Sequence, residues 1–312
     1  MERTCYGPKF RLGHVISLQS SREVSLPMPD GPTVRRRRLG AELRRLREAH
    51  SRKLDEVAGE LGLVASTLSR IETGKAPIRT SYLNRLLDMY EVTDSGVRQV
   101  LVDMGREGHR KGWWAEYDDV LPSGFSNYVG LEAEATGLRS YEATRIHGLL
   151  QTEDYATAVL RELCPKDTDE QVGKMVDLRM QRQRILENDP PIEFWLILDE
   201  GAIRRRVGSA TVMRRQLEHL VEASHWPNVT LQILGFESGA HAGMDGVFSI
   251  LEFPDRTDRA VACKDGGYFG IVYLEKDREV RVFTEAFDRL RAAALSPAAS
   301  IYIIERVAEE LR

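Results

Sequence analysis

Apolar residues recur at helical spacing on both sides of a glycine in the segment KLDEVAGELGLVASTLSRIETGK, residues 53–75. The apolar positions before Gly62 are Leu54, Val57, Ala58 and Leu61, and those after it are Val64, Leu68 and Ile71. Spacings of three and four residues predict amphipathic helices, and Gly62 can adopt the left-handed backbone of a tight corner. The segment therefore predicts two short helices joined at Gly62.

The second of these helices carries a different chemistry on its other side. Small polar side chains and one cation face away from the apolar stripe, namely Ser66, Thr67, Ser69 and Arg70. A helix with a small, polar and cationic face fits the major groove of duplex DNA, where its first two turns reach base edges. The pattern predicts a recognition helix that begins near Ala65.

Three further apolar stripes of helical spacing surround this pair of helices. They consist of Leu39, Leu43 and Leu46, of Leu83, Leu86, Leu87 and Tyr90, and of Val97, Val100, Leu101 and Met104. We expect the fourth helix of the chain to open at Thr80 or Ser81. Five short helices predict an all-α domain over residues 34–108, and the segment GREGHRKG at 105–112 is typical of a linker.

The pattern changes after the linker, because helical stripes now alternate with short β-rich runs. Helices are predicted over residues 129–136, 152–163, 168–188, 209–223, 278–294 and 297–311, and strands in IEFWLIL, VTLQILGF, GVFSILEF and IVYLE. Strands flanked by helices indicate an α+β domain over residues 111–312. The predicted fold class is mainly α, with a five-helix N-terminal domain and a mixed helix and sheet domain after it.

Length and composition narrow the class of protein. A chain of 312 residues exceeds the usual single-domain size, and its 42% hydrophobic and 29% charged content is ordinary for a globular protein. The sequence has no run of 18 apolar residues and no signal-peptide core, so we expect a cytoplasmic protein without a membrane span. Cys5, Cys164 and Cys263 are too widely spaced to indicate a disulfide framework or a zinc site.

Residues 1–32 form a separate segment. They show no lasting periodicity and include several prolines and glycines near their end, so we expect a disordered leader. Such a leader would follow from a start of translation placed too far upstream, with Met28 as the true start in place of Met1. Mass spectrometry of the native N-terminus distinguishes the two.

The net charge of −4 hides an asymmetry between the two halves of the chain. Residues 1–110 contain 20 Lys and Arg against 14 Asp and Glu, a balance of +6, whereas residues 111–312 contain 24 against 34, a balance of −10. Positive charge near a recognition helix attracts phosphates and contributes most of the sequence-independent affinity for DNA. The charge pattern thus predicts one end that faces DNA.

The run LDEVAGELGLVASTLSRIETGK resembles the helix-turn-helix of the XRE (lambda-repressor-like) transcription regulators, and its ending SRIETGK is especially similar. Lys53 and Val64 depart from the family pattern, because neither can accept a hydrogen bond where a capping Ser or Thr is usual. Leu54 replaces a glutamine that often touches a phosphate, and Ala65 stands where a long polar base reader is common. We therefore expect sparse direct reading of bases.

Most of residues 111–312 carries a second resemblance, in phrases such as LDEGAIRRRVGS, GAHAGMDGVFSILEFP and LEKDREVRVFTEAFDRLRAAALSP. These look like the C-terminal domain attached to XRE modules in a large group of actinobacterial regulators. Those regulators are described as antitoxin-like and are encoded beside a small partner protein that they are thought to bind. The resemblance implies an interaction or sensing domain, without an assigned ligand or catalytic residue.

The DNA-binding residues follow from the outward face of the recognition helix and its surroundings. We assign base-edge contacts to Ala65, Ser66 and Arg70, since Arg70 can form a bidentate pair with guanine and Ala65 can touch a thymine methyl. Phosphate contacts fall to Thr67, Ser69, Lys75 and Arg79, together with the run from Arg35 to Arg38. The assignment of phosphate contacts to Arg35–Arg38 is less specific, because a basic run is also typical of the solvated start of a helix.

A structural ion pair is implied by the resemblance to XRE domains. In those domains an acidic residue at the end of the recognition helix commonly bridges to an arginine of the first helix, and Glu72 and Arg47 hold the matching positions. Losing one partner of a deeply buried pair costs roughly 3 to 5 kcal/mol. If the pair is instead exposed, its contribution is under about 1 kcal/mol.

Catalytic and metal-binding patterns are missing from the sequence. The seven histidines share no metal spacing with other ligands, and we find no nucleophile elbow, Walker loop or dinucleotide fingerprint. The segment GAHAGMDG at 239–246 is interpreted as a ligand loop around His241 and Asp245 or, preferably, as a glycine-rich strand connection. Trp113 and Trp114 either stack on a ligand or anchor the linker to the second domain. The cations at 204–206 either meet a partner or end a helix.

These observations predict a sequence-specific DNA-binding regulator, antitoxin-like, and not an enzyme. We expect it to bind an inverted-repeat operator in double-stranded DNA as a homodimer, without a cofactor or metal, and to be controlled through a small protein partner encoded nearby. The alternative is a small-molecule-responsive repressor with a ligand pocket in the C-terminal domain. The operator sequence, the sign of regulation and the dimer surface do not follow from the sequence.

Overall fold

The computed structural model of the chain describes residues 34–107, 112–122, 125–254, 260–265 and 270–311. The predicted leader at 1–32, with the question of Met1 or Met28, lies outside these residues, as does most of the predicted linker. Of the helices in the described residues, none is long and apolar enough to cross a membrane.

Five helices make up the N-terminal region, as expected. They are α1 (Val34–Ala49), α2 (Leu54–Leu61), α3 (Ala65–Glu72), α4 (Thr80–Met89) and α5 (Ser95–Glu107). Their inward faces share one core, in which Leu43, Leu68 and Leu83 are fully buried. α1 packs against both α3 and α5, so α3 is supported on its buried side.

The corner between α2 and α3 has the backbone that the sequence predicts. Gly62 adopts φ 73° and ψ 27°, in the left-handed region. The amide of Gly62 donates to Gly59 O (3.0 Å) and the amide of Leu63 donates to Ala58 O (2.8 Å), which is the hydrogen-bond pair of a Schellman motif. These bonds satisfy the last carbonyls of α2 and set the direction in which α3 departs.

Two details of the helices differ from the prediction. α5 begins at Ser95 and turns Leu101 and Val102 into the core, so that Val97 and Val100 lie on its exposed side. The expected stripe that combined all four apolar positions was therefore wrong, because the packing partners α1 and α4 select only one side of α5. α4 does begin at Thr80, but its N-cap is Arg79 and no side chain caps it.

The C-terminal region combines helices with one six-stranded sheet, in agreement with the predicted α+β class. Its helices are α6 (Phe125–Glu134), α7 (Glu153–Leu163), α8 (Asp169–Gln183), α9 (Glu200–Arg204), α10 (Ala210–Ala223), α11 (Asp277–Ala293) and α12 (Pro297–Glu309), and its strands are β1 (Gly137–Glu142), β2 (Glu193–Asp199), β3 (Val229–Leu234), β4 (Phe248–Glu252), β5 (Val261–Asp265) and β6 (Ile271–Leu274). The prediction missed β1 and β5, whose polar residues obscure a strand pattern.

The sheet has the strand order β3-β2-β1-β4-β5-β6. β1, β2 and β3 are parallel neighbours, whereas β4, β5 and β6 add antiparallel strands on the other side of β1. Alternate residues along β2 enter different cores: Phe194 and Leu196 join the larger cluster with α10 and α12, and Ile197 joins the cluster with α11. The sheet is therefore covered on both faces, which fits its apolar strands.

Two contacts join the N-terminal helices, the following segment and the C-terminal region. Nε of Arg37 in α1 lies 3.5 Å from a carboxylate oxygen of Glu275, the residue after β6. A short 3-10 helix at Trp113–Tyr117 places Trp114 against Gly130 of α6, where an added Cβ would lie 2.9 Å from the indole. Trp114 is therefore used to anchor the connecting segment.

Candidate functional site

α3 stands on the surface of the N-terminal region with its polar side outward. Leu68 and Ile71 are buried beneath it, at 0% and 5% exposure, and fix the rotation of the helix about its axis. Ser66 and Arg70 are exposed, one turn apart on the outward side, while Ala65 is half-buried against the core. The predicted base-contacting residues thus share the accessible face of α3, with Ala65 at its margin.

The predicted phosphate-contacting residues surround that face. Thr67 and Ser69 are half-buried on the flanks of α3, and Lys75 and Arg79 are exposed in the segment that follows it. The cations of Lys75 and Arg79 are thus accessible, as contact with a sugar-phosphate backbone requires. In the basic run at the start of α1, Arg37 is engaged by Glu275 and faces the C-terminal region instead of an open surface.

Val64 lies elsewhere than predicted. It was expected on the buried stripe with Leu68 and Ile71, but 66% of its surface is exposed. The reason is that Val64 is the N-cap, with φ −79° and ψ 145°, so its side chain leaves the helical stripe before the first turn. The periodicity placed Val64 on the buried stripe, whereas the resemblance placed it at the capping position before the helix, which is where the structure has it.

The missing helix caps are partly replaced. At α2, a carboxylate oxygen of Glu56 accepts a hydrogen bond from the backbone amide of Lys53 at 3.4 Å. Only this half of a capping box forms, because a lysine side chain has no acceptor atom. At α3, the side chain of Val64 makes no capping hydrogen bond, and the positively polarised first turn favours a phosphate oxygen there.

An ion pair fixes α3 to α1. Arg47 donates from Nε to Glu72 Oε1 at 2.7 Å and from Nη2 to Glu72 Oε2 at 2.9 Å, and its Nη1 donates to Arg52 O at 3.0 Å. The two side chains are only 11% and 3% exposed, so this is a buried pair. The hydrogen bond to Glu72 raises the pKa of Arg47 despite its burial. Arg47 thereby holds together α1, the turn before α2 and the end of α3.

A close backbone approach completes the support of α3. An added Cβ at Gly40 of α1 would lie 2.4 Å from Ile71 O and 2.7 Å from Glu72 O. α1 and the end of α3 can therefore approach this closely only because residue 40 has no side chain. The contacts of Gly40 and Arg47 therefore fix α3 against α1 with its polar side exposed, and the exposed cations Lys75 and Arg79 follow it in the chain.

The glycine-rich segment at 239–246 is a connection within the sheet region. Nδ1 of His241 accepts a hydrogen bond from the amide of Gly243 at 3.1 Å, and the centroid of its imidazole ring lies 5.8 Å from the centroid of the phenol ring of Tyr141. Asp245 is paired with Lys264 at 2.5 Å. These contacts organise the turn, which is the strand-connection interpretation. In the described parts of the chain, no group of three or more His, Cys, Asp or Glu residues is arranged to hold a metal ion.

Arg204 belongs to the basic cluster that ends α9. Its Nε lies 2.6 Å from Glu200 Oε1 within the same helix, and its Nη1 lies 3.4 Å from Glu310 Oε2. Arg205 and Arg206 are exposed beyond the end of the helix. Arg204 therefore links α9 to the end of α12 through its ion pairs, while Arg205 and Arg206 are exposed to solvent.

Comparison with known proteins gives two family matches. The model described as Helix-turn-helix domain matches residues 38–100, and the model described as Domain of unknown function (DUF5753) matches residues 125–306. No match was found among curated proteins or solved structures. The first match begins within α1 and ends within α5, so the surface formed by α3 belongs to a helix-turn-helix domain.

Proposed function

The chain belongs to the family described as Domain of unknown function (DUF5753), and we propose that it is a sequence-specific transcription regulator of the XRE type. The observation that carries the proposal is the exposed polar face of α3, with Ser66 and Arg70 outward above buried Leu68 and Ile71. A helix of this kind enters the major groove and reads bases through its first turns. Arg70 would read a guanine, and Val64 and Ala65 would meet thymine methyl groups.

The experiment compares two arginine variants of the full chain. A preferred duplex is first selected from a random library, and binding to it and to scrambled duplex is then measured by fluorescence anisotropy at fixed salt. Arg70→Ala should lose roughly 1 to 3 kcal/mol on the selected duplex and relax specificity at one base pair. Arg205→Ala removes an exposed cation that follows α9 in the C-terminal region and should leave the ratio unchanged. Equal behaviour of the two variants would remove Arg70 as the reader.

The proposal includes a homodimer on an inverted repeat. Val97 and Val100 support it, since they are 49% and 54% exposed one turn apart on α5 and form an apolar strip on the same domain as α3. A two-fold axis through such a strip would pair it with its own copy. Val100→Glu should then convert dimer to monomer in sedimentation experiments and weaken binding to a two-site duplex more than to a half-site. A dimer that survives this substitution would place the interface elsewhere.

The proposed control by a small protein partner rests on the resemblance and on charge. Residues 111–312 carry a balance of −10, which suits a partner with a basic surface and leaves the basic N-terminal part to the DNA. The test is co-expression of the full chain with the neighbouring small reading frame. Co-elution together with a change in DNA affinity supports antitoxin-like control, and separate elution of both proteins contradicts it.

A second candidate is a repressor that responds to a small molecule. It is favoured by one observation, a cavity of about 430 Å³ in the C-terminal region. Ligand sites commonly have volumes of about 300 to 1,000 Å³. In either case we assign the chain no catalytic reaction, cofactor or metal.

A further inference from the structure

The cavity lies beside the carboxyl end of β1, between α6, α7, α8 and the strands β4 to β6. Leu160, Leu163, Met175 and Leu178 give it an apolar wall from α7 and α8. Charged side chains of both signs also line it: Arg179 and Arg182 come from α8, Glu142 ends β1, and Arg145 lies in the loop after β1. An apolar wall with a few convergent polar groups is the usual composition of a small-molecule site.

Three arginines line the cavity, and two of them already have carboxylate partners. Arg182 forms a bidentate pair with Glu132 at 2.7 and 2.8 Å, and Arg145 lies 2.6 Å from Asp265. Arg179 differs: its hydrogen bond is to the neutral amide oxygen of Gln151, at 2.8 Å, and no carboxylate among the described residues lies within ion-pair distance of it. A half-buried guanidinium without a carboxylate in contact favours an anion from outside the protein.

Glu142 is the acidic counterpart in the same cavity. It ends β1 and is 9% exposed, and its Oε2 has no hydrogen-bond partner among the described residues. Burial raises the pKa of Glu142 to about 7, with Arg145 opposing, Asp265 adding to the shift and Arg179 opposing. A buried carboxyl oxygen without a partner is rare and requires a donor. The cavity therefore offers a second, separate polar contact.

His147 adds a neutral contact on the wall of the cavity. Its Nδ1 accepts a hydrogen bond from the amide of Leu149 at 3.2 Å, which leaves the ring proton on Nε2. Burial, and then the three arginines, hold the pKa of His147 well below its usual value. The ring consequently supplies a hydrogen-bond donor without adding a further positive charge.

We propose that this cavity binds a small monocarboxylate that also carries a hydroxyl or amino group and an apolar body. The carboxylate would pair with Arg179, the hydroxyl or amino group would donate to Glu142, and the apolar body would lie against Leu160, Met175 and Leu178. A single negative charge fits better than a dianion such as a phosphate monoester, because Arg179 is the one arginine of the three without a carboxylate in ion-pair contact, and the carboxyl groups of Glu142 and Asp265 would repel a second negative charge.

The site is connected to the recognition helix by contacts already described. Ile271 lines the cavity and begins β6, which leads directly to Glu275 and its ion pair with Arg37. Arg37 lies against Gly74 after α3, where an added Cβ would be 2.7 Å from the Cα of Arg37. Occupation of the cavity would therefore change the position of β6 and, through it, α1. This coupling rests on the proposed function, whereas binding to the cavity does not.

Binding is tested on the full chain without DNA by isothermal titration calorimetry. The probes are 3-hydroxyoctanoate, 3-phenyllactate and phenylalanine, with methyl 3-hydroxyoctanoate as the uncharged control that keeps the hydroxyl group. We expect at least one probe to bind at one site per chain, no binding of the ester, and at least a tenfold loss of affinity in Arg179→Gln. Arg184→Gln is the matched control, since Arg184 is exposed just beyond α8, and it should bind like the wild type.

The proposal is overturned if no probe binds, or if binding survives Arg179→Gln unchanged. Should Arg179→Gln fail to fold, Leu163→Glu takes its place, because Leu163 lines the cavity yet is 42% exposed and tolerates a charge. Its new carboxylate should weaken probe binding by a similar factor, and unchanged binding would again overturn the proposal. Coupling is read separately by hydrogen exchange: the probe should alter protection in α1 of the wild type but not of Glu275→Gln. An unaltered α1 in the wild type would remove the coupling and leave the site.

Discussion

Gly40 provides the sharpest test of how α3 is held. At this position in α1, an alanine Cβ would lie 2.4 Å from Ile71 O and 2.7 Å from Glu72 O, distances that real Cβ atoms do not show. Both obstacles are backbone atoms at the end of α3, so no rotamer change relieves the overlap. Gly40→Ala must therefore push α3 away from α1, which also loosens the Arg47–Glu72 pair.

The size of the effect can be isolated with a second glycine. Gly59 lies within α2, and a Cβ there would meet nothing within 4 Å. Replacing glycine by alanine inside a helix gains about 0.8 to 1 kcal/mol in both variants, so that gain cancels when they are compared. What remains is the overlap at Gly40, for which overpacking costs of about 1 to 3 kcal/mol are typical. Gly59→Ala should thus be stabilised, and Gly40→Ala should lie about 1 to 3 kcal/mol below it.

Hydrogen exchange measured by mass spectrometry is the suitable assay. The four tryptophans are at 113, 114, 195 and 226, so fluorescence does not report on α1–α5. The protection of amides in peptides from α3 should differ between the variants by a factor of roughly 5 to 150, which corresponds to the same free-energy range. Equal protection in the two variants would refute the close approach of α1 to α3.

Three further predictions concern the same contacts and the cavity. Glu72→Leu leaves the guanidinium of Arg47 without its carboxylate partner and should lower the free energy of unfolding of the helix-turn-helix by about 3 kcal/mol in the same exchange assay. Glu48→Gln removes an exposed carboxylate from the same arginine and should have a much smaller effect; similar losses in the two variants would contradict a buried pair. Gly62→Ala should cost about 1 to 2 kcal/mol through its φ of 73° alone, and Gly62→Asn less, as read from the urea midpoint by circular dichroism. Because the pKa of Glu142 is raised to about 7 in the folded state, the folded protein binds this proton more tightly than the unfolded chain does. The resulting contribution to the free energy of unfolding is present near pH 4 and is lost as the pH rises through 7. Urea unfolding followed by tryptophan fluorescence should show that loss in the wild type and not in Glu142→Gln.

The helices of the chain were predictable because helix formation depends on local spacing. Stripes such as Leu83, Leu86 and Leu87 recur with the helical period, and Gly62 marks the corner with a backbone that other residues adopt only with strain. The recognition face was predictable for the same reason, since burying Leu68 and Ile71 turns Ser66 and Arg70 outward.

Residues near the ends of helices were harder to place. Val64 and Val97 looked like members of apolar stripes, yet both are exposed, because the helix start at Ala65 and the choice of packing side of α5 are set by neighbouring elements. The strand β1 escaped the pattern because it lies in the middle of the sheet, where Ser140 can be buried through its hydrogen bond to Ser249, 109 residues away in sequence. Such long-range pairing leaves no local periodic trace.

The sequence alone predicted most of the helices, the corner at Gly62 with the polar face of α3, and the change in the sign of charge along the chain. Only the tertiary structure decided the cavity, since Glu142 and Arg179 come from β1 and α8 and neither residue stands in a recognisable motif. The physical reason is that periodicity indicates whether a residue faces a core. Whether an arginine has a carboxylate in ion-pair contact depends instead on which residues, distant in sequence, the fold brings next to it. Arg179 differs from Arg182 by three residues along one helix, and only the fold gives a carboxylate to one and an open cavity to the other.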